Sequence, residues 1–173
     1  MKNRVLTGLL AAACVAGCVA GGKQPMSAEE FRKVAPGAFL MKSESYEVNR
    51  SLKQVAAAFQ KRAPECLSQT IRMTERSATH SLVVVTTYKP TVVVGADRAE
   101  LHLQRRHDKG VVKVYDEPPD GHYILVVDAY PAGSGRTRIQ LIGVSKGHDV
   151  VYRAINGWAT GDNMGCPDMT KIG

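Results

Sequence analysis

The residues of this chain whose types allow chemistry are four cysteines, five histidines and a scatter of charged side chains. The histidines stand at 80, 102, 107, 122 and 148. No two fall at helical ligand spacing and no His-Glu-x-x-His occurs, so no metal site is expected. A cysteine nucleophile needs a neighbouring base and a depressed pKa. Cys66 follows Pro64-Glu65 and Cys166 precedes Pro167, and neither has that context. Gly-x-Ser-x-Gly and paired catalytic carboxylates are not discernible either, so no catalytic residue and no cofactor is expected. Asp162, Asn163 and Asp168 offer oxygens to a hard cation, but their spacing departs from a calcium loop and reads as a C-terminal turn. Gly133-Ser134-Gly135-Arg136 lacks the strand-to-helix setting of a phosphate cradle and reads as a hairpin turn. What remains are binding candidates. Arg98, His102 and Arg106 share one face of an alternating segment, where they could meet an anionic headgroup; Val126 lies in an apolar strand, and Trp158, with Val151 and Ile155, reads as core packing against the sheet.

Lys2 and Arg4 precede an apolar stretch from Val5 to Val15, and Ala16 and Gly17 are small, which is signal-peptide patterning. From Val5 to Ala20 the stretch is 16 residues, short of the about 20 that span a bilayer. Val15-Ala16-Gly17-Cys18 resembles the bacterial lipobox, a small apolar tetrapeptide ending in cysteine. The resemblance implies diacylation of Cys18, cleavage just before it and a partner in the membrane itself. Several acyl chains hold firmly because each buried methylene contributes about 0.8 kcal/mol. Cys14 is the weaker acceptor, since it leaves a short apolar region and puts Ala11 where the family prefers Leu or Val. Val19 stands where some Gram-negative lipoproteins carry an Asp for inner-membrane retention, so the resemblance favours the periplasmic face of the outer membrane. In a Gram-positive host the same signal would put the domain outside the cell.

Cleavage there leaves 156 of 173 residues, enough for one domain with a sizeable core. The expected organisation is a signal peptide over 1–17, a lipidated tether with a short helix over 18–37 and a single domain over 38–173. Loss of Lys2 and Arg4 lowers the formal charge from +7 to +5. That is basic enough to aid solubility or to meet acidic headgroups. No basic-aromatic motif accompanies it, and a nucleic-acid partner is not expected. With Cys14 removed and Cys18 acylated, the resemblance leaves Cys66 and Cys166 as the two remaining thiols, and an oxidising compartment makes a disulfide between them the natural outcome.

Elements follow from periodicity and punctuation. Ser27 and Glu30 form a capping box that starts a short helix through Val34, with Phe31 and Val34 able to pack on the domain. Asn49 or Ser51 caps a helix whose stripe is Leu52, Val55, Ala56, Phe59 and Ala63, with Pro64 as its stop. Strands are expected over 38–48, 69–76, 80–88, 97–107, 110–116, 122–130 and 136–145. Turn residues at 108–110, 118–121 and 133–135 make an antiparallel meander the simplest topology. On 97–107, Ala99, Leu101 and Leu103 alternate with Arg98, Glu100, His102, Gln104 and Arg106, which predicts one core face and one wet face. Strand 122–130 is apolar on both faces. A closing helix over 148–160 carries Val151, Ile155 and Trp158, with Gly161 as its C-cap.

A strand, a helix, a long meander and a closing helix over about 38–161 resemble the helix-grip arrangement of steroidogenic-acute-regulatory-related lipid-transfer domains. The resemblance implies an α+β fold, an antiparallel curved β-sheet with one N-terminal and one C-terminal helix. It also implies a concave side able to enclose an apolar ligand, with Trp158 and Val126 as lining. Fold does not fix function. The expected activity is a non-catalytic binding or scaffolding role against another envelope component, with carriage of a small apolar or lipid-like ligand as the alternative and hydrolysis third.

Overall fold

A computed structural model describes residues 24–76, 81–107 and 118–172 of the chain. The segment that resembles a lipobox, with Cys18, and the strand expected over 110–116 lie outside these residues. The order of elements is α1 (Ala28–Val34), β1 (Met41–Val48), α2 (Leu52–Leu67), β2 (Gln69–Arg76), β3 (Ser81–Val94), β4 (Ala99–His107), β5 (His122–Pro131), β6 (Thr137–Val144) and α3 (Asp149–Thr160). The six strands form one antiparallel sheet in the order β1-β6-β5-β4-β3-β2. The strands β2 to β6 follow one another as a meander, but β4 pairs directly with β5 without the intervening strand expected over 110–116, and the fold is α+β. β1 and β2, joined through α2, occupy the two edges. Among the described residues no helix is long and apolar enough to cross a membrane.

Local chemistry accounts for the helix ends. Ser51 closes a capping box with Gln54 at the start of α2, and Gly161, in the left-handed region at φ 91°, caps α3. At α1 the Ser27 hydroxyl accepts from the Glu30 N–H, while the Glu30 carboxylate takes the Met26 N–H. One proline expectation and one strand bound need correction. α2 runs past Pro64 to Leu67, because Cys66 and Leu67 are fully buried and the tertiary packing of that last turn outweighs the lost hydrogen bond. β3 continues through Pro90 to Val94; beyond Tyr88 it pairs only with β4, so the missing N–H falls where one side of the strand is open.

The sheet is covered on both faces. On one, α2 crosses β3, β4 and β5 and packs against α3, and Phe59, Leu101, Leu103, Leu125, Val127, Ile139, Leu141, Ile155 and Trp158 form the main core. Full burial of Phe59 alone contributes roughly 1.5–3 kcal/mol. On the other, α1 lays Ala28, Phe31 and Ala35 over Val126, Tyr123, Ile142 and Met41. β5 is therefore the buried central strand its sequence suggested. The expected wet face of β4 is not wet: Glu100 and His102 are each 8 % exposed, because α1 lies there. Val34, expected to pack, is 56 % exposed, and Ala35 takes its place.

Candidate functional site

The most distinctive chemistry lies under α1. The β4–β5 register sets Glu100 directly opposite Asp128, both on the face turned from the main core. Like charges facing each other across a ladder repel, and burial removes the water that would screen them. Arg32 resolves this. Its Nε donates to Asp128 Oδ2 and its Nη2 to Oδ1, each at 2.7 Å, a two-pronged grip suited to guanidinium and carboxylate. The same Nη2 also donates to Glu100 Oε2. His102 Nε2 lies 2.8 Å from that oxygen, and since a carboxylate only accepts, this nitrogen carries the proton. Arg98 pairs with the other Glu100 oxygen at 2.5 Å from the rim.

The protonation behaviour follows. Burial pushes the Glu100 carboxyl up, but hydrogen bonds from Arg32 and His102 and the charges of Arg32 and Arg98 outweigh it and hold the group below its ordinary value. Burial pulls the Arg32 guanidinium down, and its bonds to Asp128 and Glu100 more than offset that, so it is cationic throughout. A β-bulge completes the wall. The register shifts between Leu103 and Gln104 so that Ile124 has no partner on β4, and Tyr123 thereby turns toward α1. Its ring centroid stands 6.2 Å from Phe31 and 6.1 Å from His102.

Three of the residues singled out from sequence thus meet here: His102 inside the cluster, Val126 beneath α1 and Arg98 at the rim. Arg106 lies apart, exposed, donating to the Pro119 carbonyl at 3.2 Å. Trp158 is in the main core on the opposite face of the sheet, its indole N–H on the Met164 carbonyl, so it and Val126 do not line one cavity. Cys66 and Cys166 are bridged. Arg32, Glu100 and Asp128 were not singled out as a site. The available signal was Asp128, an acid in the otherwise apolar run Tyr123–Tyr130, which has to find a partner wherever that strand is buried.

A second feature is an open groove of about 480 Å³ between β1 and α3, walled by Lys42, Glu44 and Tyr46 on one side and Tyr152, Arg153 and Asn156 on the other. The Lys42 ammonium sits 3.8 Å over the Tyr152 ring and pairs with Glu44 at 3.0 Å. Tyr152 donates to the Val144 carbonyl. Gly143 leaves room for that hydroxyl, which a Cβ there would meet at 2.6 Å. The Tyr46 hydroxyl is buried with no hydrogen-bond partner among the described residues, and burial together with the Glu44 charge pushes its pKa up to about 12. Among the described residues no group of three or more His, Cys, Asp or Glu is placed to hold a metal ion. No known protein family and no curated protein matches the chain.

Proposed function

We propose that the chain is a lipid-anchored cell-envelope lipoprotein whose α+β domain works by binding or scaffolding, without catalysis, at the periplasmic face of the outer membrane. The observation that carries this reading is the clamp on α1. That helix is the first element after the tether that follows Cys18, and Arg32 locks it onto two buried carboxylates of the central strands. A load applied through the tether therefore reaches the middle of the sheet. Charged groups that saturate one another in this way hold a helix in place. Cys18→Ser should move the protein from the membrane to the soluble fraction. Crosslinking in intact envelopes should then recover a second envelope component with the native chain and lose it with Cys18→Ser. Repeated recovery of this chain alone would overturn the scaffolding role.

The groove between β1 and α3 favours a second reading, carriage of a small ligand. Its volume falls within the range of small-molecule sites, and it lies where the closing helix faces the sheet. Its walls call for an amphiphile with polar groups rather than a purely apolar guest. Native mass spectrometry of the envelope-extracted protein should show an added mass that Arg153→Ala and Asn156→Ala reduce. An added mass unchanged in both variants would sink this reading.

A further inference from the structure

The chain between α1 and β1 makes a tip that the clamp on α1 does not explain. Residues 36–40 are all exposed, and Phe39 is 91 % exposed, an unusual display for an aromatic ring. Val34 at the end of α1 and Leu40 at the start of β1 are exposed as well. Two successive turns, Ala38 N–H to the Ala35 carbonyl and Met41 N–H to the Ala38 carbonyl, fold these residues into one protrusion. Leu40 holds φ at 62°, a left-handed conformation that a leucine adopts only under strain. Its carbonyl accepts from Ser145, which brings Lys146 alongside.

The charge around this tip is predominantly basic, although Lys33 also pairs with Glu29 at 3.4 Å. No carboxylate occurs from Phe31 to Ser43 or from Leu141 to His148, whereas Lys33 and Lys146 are exposed there; Glu44 and Asp149 begin only beyond. Apolar side chains ringed by lysines match the boundary between acyl chains and anionic headgroups. The chain length agrees. Met26 lies eight residue steps beyond Cys18, a reach of at most about 29 Å, and the seven residues of α1 add about 10 Å. An acylated Cys18 therefore keeps this end of the domain within reach of the bilayer surface.

We propose that Phe39, with Leu40 and Val34 beside it, inserts into the interface of an anionic bilayer, giving the domain a second, shallow membrane contact and a fixed orientation. This rests on the anchoring reading above. With Cys66 and Cys166 bridged and Cys18 acylated, Phe39→Cys has one thiol free for an environment-sensitive dye. The full chain, matured from its own leader and extracted from envelopes, is returned to vesicles of phosphatidylethanolamine and phosphatidylglycerol, with Lys61→Cys on α2 as the control position. The expected result is a blue-shifted dye at position 39, quenched by spin-labelled lipid, while the dye at 61 stays aqueous. An anchored protein whose position 39 stays aqueous overturns the tip and leaves the anchor standing; shielding at 39 in whole envelopes but not on vesicles would mean that a protein covers the tip, which also overturns it. An intact mass lacking acyl groups overturns the anchor instead. In that case the labelled chain is titrated with the same vesicles, and a dye that gains no shift overturns the tip as well.

Discussion

Arg32 answers a problem that the strand register creates. Without its cation, Glu100 and Asp128 would face each other in a buried ladder position. Arg32→Met keeps the aliphatic stem and removes the charge, so it should destabilise the protein by about 3–5 kcal/mol at neutral pH, as breaking a buried ion pair on one side generally does. The pH dependence distinguishes this from lost packing. In the native protein Glu100 titrates below its ordinary 4.5, so the stability it contributes is complete above that value and is lost as the pH falls through the lowered pKa. In the variant, burial without the guanidinium raises the carboxyl above its ordinary value, and stability should instead recover as the pH is lowered into the carboxylate range. Urea melts at neutral and mildly acid pH measure both slopes; a penalty that does not shrink on acidification would show that the cation is not what matters. Tyr46→Phe tests the opposite case. Because the hydroxyl is buried without a partner, its removal should leave stability unchanged or raise it by up to about 1 kcal/mol, whereas loss of a satisfied bond would lower the melting temperature. Neither Arg32 nor its role was legible in sequence, because its two partners lie 68 and 96 residues away and nothing local marks the meeting.

α1 is seven residues long, well under the about 12–15 that an isolated helix needs in water. Its helicity is therefore borrowed from the sheet, through Ala28, Phe31, Ala35 and Arg32. Amide exchange should show α1 opening more easily than α2, and Arg32→Met should strip protection from α1 while α2 keeps its own. Equal loss in both helices would mean that α1 and the core unfold as one unit and that the clamp has no local role. The same element explains where sequence reading stopped. Strands β2, β4, β5 and β6 and the helix α3 fall within a residue or two of the expected bounds, since alternation, turn residues and the Gly161 cap are local signals. The alternation of β4 was equally clear, but a polar face looks the same in sequence whether it meets water or a helix carrying the matching charge. Pro64 was read by its local preference, and the packing of the last turn of α2 set the outcome.

At the scale of the whole molecule, two attachments hold the helices to the sheet from opposite faces. Arg32 ties the N-terminal helix to the centre of one face. On the other, the Cys66–Cys166 bridge ties the last turn of α2 to the segment after α3, across a sequence separation of 100 residues, with the two Cα atoms 4.9 Å apart. The Arg50 guanidinium reinforces that second face by donating to the Trp158 carbonyl, while the Arg50 carbonyl accepts from Thr137 at the start of β6. Closing so long a loop restricts the unfolded chain, and the chain-entropy account assigns the bridge up to about 4.7 kcal/mol. For a domain of this size each kcal/mol moves the melting temperature by about 2–4 °C, so reduction should lower it by up to roughly 9–19 °C. Cys66 is fully buried, which makes its alanine variant a confounded comparison, and Cys166→Ser, at the exposed end, is the cleaner one. Calorimetry of the reduced protein and of Cys166→Ser should give similar losses. An unchanged transition in both would mean that the contacts of α2 and α3 with the sheet hold the C-terminal segment unaided. In that case the oxidising compartment inferred from the leader would have no consequence for the stability of the fold.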